Sequence, residues 1–334
     1  MIDLHCHLDG AITVPIAKKL ASLQNITLPT TDDNELAALL SVPDSCTSLT
    51  DFLKCFALPG SLLQTPEAIT EAVRLVREDM EDQGLIYLEL RFAPQLHCQK
   101  GLSQEDVLKA ALSGLDSSGL PTNLILCCMR GDKSKNAALE SANLETINLA
   151  KKYLVANGGV VAVDLAGAEA LFPTKNFAKE FQLAHSLNIP ITIHAGEADG
   201  PESVWDALKF GATRIGHGIR SIEDEKLLNY IVENNITLEM APTSNRQTCA
   251  VSNMKNYPLN AFLEKGINVT INTDDPAICR TNLRKEFNYI AKNYGIWDNQ
   301  EKLFLINAAK AAFTTVEIKE QLIKKIEEIY YGKN

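Results

Sequence analysis

The sequence predicts an α/β protein with the (β/α)₈ barrel fold (a TIM barrel), and three observations lead to this prediction. Short apolar runs alternate with helical patterns along all 334 residues, as expected for a chain built from β–α units. Most of these runs are nearly continuous in valine, isoleucine and leucine, which is typical of parallel strands covered by helices. Ionisable residues follow many of the runs, at the end of the barrel where active sites are built.

We predict one strand from each of eight apolar runs: Ile2–His7, Ile86–Phe92, Asn123–Met129, Val160–Ala166, Pro190–His194, Arg214–His217, Ile236–Met240 and Asn268–Asn272. Apolar residues at helical spacing predict helices between them, at Pro66–Gln83, Glu105–Leu115, Leu144–Val155, Asn176–Leu187, Glu202–Phe210 and Asp224–Asn234. Almost eighty residues separate the first two strands, so extra helices are expected there. A final amphipathic helix is expected between Lys319 and Lys333. No linker-like stretch interrupts the pattern, and we expect one domain over residues 1–334.

Composition narrows the class of partner. The net charge of −10 repels a phosphate backbone, so we expect no nucleic-acid partner. No apolar run is long enough to span a membrane, and the first residues do not resemble a secretory signal. Eight scattered cysteines without a C-x-x-C motif are expected to be reduced. A cytoplasmic enzyme with a small-molecule substrate fits these observations, whereas the oligomeric state is not predicted.

The polar residues at the strand ends predict a metal site. Side chains alternate along a strand, so His5 and His7 point to the same side of the first strand. His194 at the end of strand five and Asp274 after strand eight can complete the set. Three imidazole nitrogens and one carboxylate oxygen suit Zn²⁺ and leave a position open for water.

Each of these residues has an ordinary explanation when it is taken alone. His5 and His7 can be two polar residues, His194 a core histidine, and Asp274 a turn or cap residue. Buried charges are rarely unpaired, so their joint occurrence at strand ends favours the metal site. The two remaining histidines, His97 in a predicted loop and His185 in a predicted helix, are expected to be surface or structural residues.

Seven motifs at the strand ends carry a family resemblance: His5-Cys6-His7-Leu8-Asp9-Gly10, Glu89-Leu90-Arg91-Phe92-Ala93-Pro94, Asp164-Leu165-Ala166-Gly167-Ala168-Glu169, His194-Ala195-Gly196-Glu197, Gly216-His217-Gly218, Ala241-Pro242-Thr243-Ser244-Asn245 and Asn272-Thr273-Asp274-Asp275-Pro276. In this order and spacing, the sequence resembles the adenosine deaminase family of the amidohydrolase barrels. The resemblance extends from residue 2 to about residue 290. It implies the hydrolysis of adenosine and 2′-deoxyadenosine to the inosine nucleosides and ammonia, in purine salvage.

The resemblance also implies catalytic roles. One zinc ion per chain would be held by His5, His7, His194 and Asp274. His217 would orient the attacking water and act as its base, with help from Asp274. Glu197 would be a protonated acid that gives its proton to N1 of the purine, because attack at C6 of the ring needs such an acid. A dry pocket would raise the pKa of Glu197 enough for this role.

Further residues are expected to bind the substrate. His7 would contact the substrate as well as the metal, Asp275 would bond N7, and the backbone N–H of Gly167 would face N3. Between the first two strands, four apolar residues at helical spacing would cover the pocket: Leu49, Phe52, Leu53 and Phe56. Each of these four can equally be the core side of a surface helix.

Asp9 favours a nucleoside over a free base. Related adenine deaminases usually have Ile-Glu-Gly where this chain has Leu8-Asp9-Gly10, and tend to have serine in place of Thr273. In the nucleoside enzymes the matching aspartate accepts a hydrogen bond from the ribose 5′-hydroxyl, and it would repel a 5′-phosphate.

Other functions remain as alternatives. The substrate can instead be adenine, or an N6-substituted or 5′-thio nucleoside. The protein can also be a catalytically idle barrel that binds purines. The H-x-E and P-C-x-x-C signature of the cytidine deaminases is absent. The predicted fourth strand does not end in the lysine that commonly bridges two metals, which favours one metal.

Overall fold

Eight parallel strands form the centre of the structure, a computed structural model that describes residues 1–43, 45–115 and 119–331, apart from the side chains of residues 298 and 331. The strands are β1 (Ile2–His7), β2 (Tyr87–Phe92), β3 (Thr122–Met129), β4 (Val160–Ala166), β5 (Thr192–Ala195), β6 (Arg214–His217), β7 (Thr237–Met240) and β8 (Asn268–Ile271). Their ladders form two four-stranded halves, β1-β2-β3-β4 and β5-β6-β7-β8, so that the order in space follows the chain. The predicted parallel α/β architecture is confirmed.

Two seams close these halves into a barrel. At one seam β4 meets β5, where the N–H of Val163 donates to the carbonyl oxygen of Pro190 at 3.0 Å. At the other seam β1 meets the segment after β8, where the N–H of His7 donates to Asp274 O and the N–H of Asp274 donates to His5 O, both at 2.8 Å. Three of the predicted metal ligands are therefore held by the backbone bonds that close the barrel.

Helices cover the barrel: α1 (Val14–Gln24), α2 (Asp33–Leu39), α3 (Leu49–Phe52), α4 (Ala57–Leu62), α5 (Pro66–Asp82), α6 (Gln104–Ser113), α7 (Ala138–Lys152), α8 (Ala178–Ser186), α9 (Pro201–Lys209), α10 (Glu225–Glu233), α11 (Pro242–Gln247), α12 (Leu259–Lys265), α13 (Leu283–Tyr294), α14 (Asp298–Ala311) and α15 (Val316–Tyr331). The extra helices expected between the first two strands are α1 to α4, and α5 is the helix predicted at residues 66–83. The predicted C-terminal helix is α15, and Lys333 lies outside the described residues. Among the described residues, no helix combines the length and apolar content that crossing a bilayer needs.

The observed element ends differ from the predicted ones by a few residues. Strand five was predicted at residues 190–194 but runs from Thr192 to Ala195. Pro190 has no N–H to give to a ladder, whereas Ala195 pairs with His217 of β6. His97, expected in a loop, ends a short 3₁₀ helix at residues 94–97 and is buried, so it is a structural residue. His185 lies exposed at the end of α8.

Candidate active site

Four side chains converge at the carboxyl end of the barrel, where the sequence predicts a metal site. The Nε2 atom of His194 lies 3.0 Å from Nε2 of His5 and 3.2 Å from Nε2 of His7. The Oδ1 atom of Asp274 lies 3.2 Å from His5 Nε2 and 3.4 Å from His7 Nε2. One ligand atom from each of the four residues lies within 4.8 Å of all the others, so the set could hold one metal ion.

Buried carboxylates fix the orientation of two of these imidazoles. The Nδ1 atom of His5 lies 2.8 Å from Glu239 Oε2, and Nδ1 of His194 lies 2.9 Å from Asp164 Oδ2. An ionised carboxylate only accepts hydrogen bonds, so each Nδ1 carries the proton and each Nε2 presents its lone pair. Two facing lone pairs repel one another unless a cation lies between them. The donor set therefore fits a metal ion, with the outer carboxylates that metal-binding histidines usually have.

Two buried arginines hold these carboxylates in place. Arg91 bridges them, with Nη1 3.0 Å from Asp164 Oδ2 and Nη2 2.8 Å from Glu239 Oε2. Arg214 binds Glu239 Oε1 through Nε at 2.6 Å and Glu89 through Nη1 at 2.6 Å. Burial by itself would raise the pKa of Glu239, but the two guanidinium groups hold it well below its usual range. The two arginines thus keep Glu239 ionised behind the candidate metal ligands.

The loop after β5 presents Glu197 to the same pocket. The carboxylate of Glu169, in the loop after β4, accepts backbone N–H groups from residues 196, 197, 198 and 199 at 2.7–3.0 Å. It also accepts the hydroxyl of Ser203 at 2.5 Å. Five donors on one carboxylate hold the loop rigidly. Glu169 therefore positions the backbone of Glu197.

Glu197 has the environment of a neutral carboxylic acid. Its side chain is buried, and the hydroxyl of Thr248 donates to Oε1 at 3.1 Å. Burial raises the pKa of Glu197 to about 8, and the negative charges of Asp274 and Glu169 add to this effect. A carboxyl group with such a pKa keeps its proton at neutral pH and can act as an acid there.

His217 faces both Glu197 and Asp274. Its Nε2 atom lies 3.6 Å from Glu197 Oε2 and 3.8 Å from Asp274 Oδ2. His217 and Asp274 both adopt left-handed backbone angles, with φ of 62° and 61°. Such strained conformations of residues other than glycine often occur at functional sites. Burial holds the pKa of His217 well below its usual range, so the imidazole is neutral.

Asp9 and Asp275 lie together on another side of the pocket because Gly10 allows a close approach. A Cβ atom on Gly10 would lie only 1.9 Å from Asp275 Oδ1, and Gly10 O accepts the N–H of Ala277 at 2.9 Å. The Oδ1 atoms of both aspartates are buried without a hydrogen-bond partner among the described residues. Burial raises the pKa of Asp9 to about 6, and it raises the pKa of Asp275 well above its ordinary value, assisted by the charges of Asp274 and Asp9.

A cavity of about 830 Å³, including its mouth, joins these groups. Most of the predicted site residues line it: His7, Asp9, Leu49, Phe52, Leu53, Phe56, Gly167, His194, Glu197, His217, Asp274 and Asp275. His5 lies directly behind His194 and is fully buried. The segment formed by α3 and the 3₁₀ helix at residues 53–56 covers the cavity. The ring centroids of Phe52 and Phe56 in this segment are 6.2 Å apart. Phe52 also packs on Val42 and Ile278. It therefore lines the cavity and belongs to a small hydrophobic core at the same time.

Several functional positions have no role in the sequence-based prediction. Glu239 and Thr248 contact predicted site residues, and Tyr257 contacts Asn245 beside His217, but all three lie in no motif that the sequence analysis used. Arg91 and Glu169 lie within such motifs, yet only their contacts reveal what they do. The sequence signal for Glu239 is a charged residue within an apolar strand, since a buried charge needs a partner.

The fold and the site together define a class of protein, a β/α barrel with three histidines and one aspartate at the carboxyl ends of its strands that could hold a metal ion. The family model described as adenosine deaminase matches residues 1–329. The chain therefore belongs to the adenosine deaminase family.

Known proteins agree with this assignment. The chain is 47% identical to the adenosine deaminase of Haemophilus ducreyi, over 99% of this chain and 96% of the relative. It is 39% identical to the adenosine deaminase of Enterococcus faecalis, over 98% of this chain and 96% of that protein. Its fold matches the crystal structure of adenine deaminase from Arthrobacter aurescens with a TM-score of 0.88 and 26% identity, covering 99% and 98% of the two chains.

Proposed function

We propose that this protein hydrolyses adenosine and 2′-deoxyadenosine to inosine, or 2′-deoxyinosine, and ammonia. The observation that carries the proposal is the buried acid Glu197, whose pKa is raised to about 8, beside a convergent metal-ligand set. Hydrolysis at C6 of a purine needs an acid at N1 and a nucleophile at C6, and these two features supply them. A role in purine salvage, a cytoplasmic location and a single domain over residues 1–334 belong to the same proposal.

The metal in this proposal is one Zn²⁺ ion per chain, held by His5, His7, His194 and Asp274. Nitrogen and carboxylate ligands with an open position for water suit this ion. When bound, zinc makes a water molecule acidic enough to serve as a nucleophile near neutral pH. Glu239 and Asp164 keep the proton of His5 and His194, respectively, on Nδ1.

The remaining chemistry belongs to the side chains of this protein. Glu197 gives its proton to N1, which makes C6 electrophilic, and the oxygen of water bonds to C6. His217 and Asp274 face each other across the place of that water, so that together they orient it and one of them takes up its proton. The proton then moves to the exocyclic nitrogen, which leaves as ammonia while C6 becomes a carbonyl. The product keeps the proton on N1, and the hydroxyl proton that is released as the C6 carbonyl forms restores Glu197, so all atoms balance.

Polar groups around the pocket recognise the purine and the ribose. A protonated Asp275 donates a hydrogen bond to N7, which only accepts one. The N–H of Gly167 faces N3, and its φ of 108° is one that a residue with a side chain rarely adopts. Leu49, Phe52 and Leu53, together with Phe56, exclude water from the base, which strengthens the electrostatic interactions inside.

Asp9 selects a nucleoside. Its unpartnered Oδ1 is available to the ribose 5′-hydroxyl, and a 5′-phosphate would meet a carboxylate there. Free adenine has no group to satisfy this acceptor. The fold match to an adenine deaminase nevertheless makes adenine the second substrate to test.

The proposal is tested by supplying zinc-loaded protein with adenosine and, separately, with adenine. Absorbance and ammonia release are followed with and without a chelator. We expect rapid loss of adenosine that the chelator abolishes and added zinc restores, with adenine unchanged. Turnover of adenine alone would keep the reaction and reject the nucleoside. If the protein binds zinc but turns over neither compound, adenosine and adenine are both rejected as substrates. A modified nucleoside as substrate, or a binding function without catalysis, would then remain.

Asp9→Ala is expected to lower kcat/KM for adenosine by about 5- to 150-fold, because an unpaired buried polar group costs about 1–3 kcal/mol. Any turnover of adenine, which has no 5′-hydroxyl, is expected to change little. Asp33→Ala, an exposed aspartate at the start of α2, is the matched control. Steady-state kinetics on both compounds make the comparison. Unchanged adenosine kinetics in the Asp9 variant would reject the ribose contact.

A further inference from the structure

A buried chain of hydrogen bonds leads from Tyr257 to His217 behind the pocket. The hydroxyl of Tyr257 donates to Asn245 Oδ1 at 3.0 Å, and Asn245 Nδ2 lies 2.9 Å from His217 Nδ1. Asn245 lies in α11, directly after β7, and all three side chains are buried. Its first hydrogen bond joins residues that are 12 positions apart in the sequence, and its second joins residues that are 28 positions apart. It approaches the imidazole from the side opposite Glu197 and Asp274, which face Nε2.

We propose that Asn245 and Tyr257 are positioning residues that hold His217 in the tautomer with its proton on Nε2, directed into the pocket. The inference rests on the proposed function for the meaning of the pocket, but the tautomer itself is a property of the resting enzyme. Neither Asn245 nor Tyr257 lines the pocket, so both act through His217.

The direction of the chain follows from its donors and acceptors. A tyrosine hydroxyl has one proton to donate, and for Tyr257 the hydrogen-bond partner among the described residues is Asn245. The oxygen of the Asn245 amide must therefore face Tyr257, and its NH₂ group must face His217. Since an amide NH₂ only donates, Nδ1 of His217 is an acceptor and carries no proton. The opposite amide orientation would leave the buried tyrosine proton unbonded, at a cost of desolvation.

This tautomer assigns different catalytic roles to His217 and Asp274. A neutral imidazole protonated at Nε2 donates a hydrogen bond to the attacking water and cannot accept that water's proton there. Asp274, whose Oδ2 lies 3.8 Å from Nε2 of His217, is then the group that takes the proton and passes it to the leaving nitrogen. His217 orients the water as a donor, which differs from the base role that the family resemblance implies.

The experiment compares tautomer and turnover in zinc-loaded enzyme. With ¹⁵N-labelled histidine, the nitrogen chemical shifts and their couplings to ring protons identify the protonated nitrogen, and a His217→Gln variant assigns the signal. In the wild type we expect Nε2 of His217 to be protonated. In Asn245→Asp, the carboxylate accepts a hydrogen bond from Nδ1–H, so the proton is expected to move to Nδ1 and the tautomer to reverse. Turnover is then expected to fall by up to about 10⁴-fold, the loss that a wrong histidine tautomer causes in a serine protease.

Tyr257→Phe is the milder variant and keeps the ring in place. Without the hydroxyl the amide can turn, so we expect both tautomers of His217 and a five- to twentyfold lower kcat with little change in KM. Tyr294→Phe is the matched control, because Tyr294 packs on the ring of Tyr257 but donates its hydroxyl to Met254 O at 2.7 Å. The control is expected to keep the Nε2 tautomer and the wild-type kcat.

Two results would overturn the proposal. One is a proton on Nδ1 of His217 in the wild type. The other is a Tyr257→Phe variant with unchanged tautomer and unchanged kcat. Failure of the proposed function would look different, since the wild type would then not turn over adenosine whatever its tautomer. Metal content and thermal unfolding of each variant confirm that folded, zinc-loaded proteins are compared.

Discussion

Replacing Glu197 with glutamine is expected to lower kcat for adenosine by about 10²–10⁴-fold, the usual contribution of a positioned acid. Glutamine has the same shape and can still donate a hydrogen bond to N1, so KM is expected to change much less than kcat. It cannot release a proton to N1, and C6 therefore stays a poor electrophile. The loop position is expected to persist, because Glu169 holds the backbone N–H of residue 197 rather than its side chain.

Steady-state kinetics and metal analysis on the same preparation make this test. The metal content of Glu197→Gln is expected to equal that of the wild type, because Glu197 is not part of the metal-ligand set. Glu202→Gln, an exposed residue in the first turn of α9, removes a carboxylate nearby and is expected to leave kcat unchanged. Near-normal turnover of a fully metal-loaded Glu197 variant would remove this residue from the role of acid.

Replacing Arg91 with methionine is expected to weaken both the fold and the metal site. Removing one partner of a buried ion pair costs about 3–5 kcal/mol, because the remaining charges lose their compensation. In this variant Asp164 and Glu239 would both lose a guanidinium hydrogen bond. These carboxylates orient His194 and His5, so metal affinity is expected to fall by about 10- to 100-fold, as when other outer partners of metal ligands are removed.

The two effects of Arg91→Met are separated by measuring them independently. Denaturant unfolding of metal-free protein gives the free energy of unfolding without the contribution of metal binding, and competition with a chelating dye gives the affinity. Arg77→Met is the matched control. Arg77 is also buried, but it donates to backbone carbonyl groups, at 2.9 Å to Gly114 O and 3.1 Å to Leu120 O. This variant is expected to lose stability and keep its metal affinity. Wild-type affinity in Arg91→Met would show that the arginine does not support the ligands.

The fold was predictable because its signals are local. Apolar runs of strand length, helical spacing between them and polar residues after the strands are all present in short windows of sequence. The ends of elements were less predictable, as at residues 190–195, because pairing with neighbouring strands decides which residues extend a ladder. The number of helices between β1 and β2 was likewise not fixed by the periodicity, which indicated only that one helix was too few.

The sequence by itself determined the barrel, the types of ligand and the family. His5 and His7 point to one side of a strand because side chains alternate along it, and the motifs around Glu197, His217 and Asp274 are read directly from the chain. Only the tertiary structure decided how these groups are supported. Arg91 meets Glu239 148 positions later, and Tyr257 reaches His217 through Asn245. Such contacts join segments that the closed barrel brings together, and local periodicity carries no information about pairs so far apart. Burial inside that barrel also raises the pKa of Glu197, a property of the surroundings rather than of the residue.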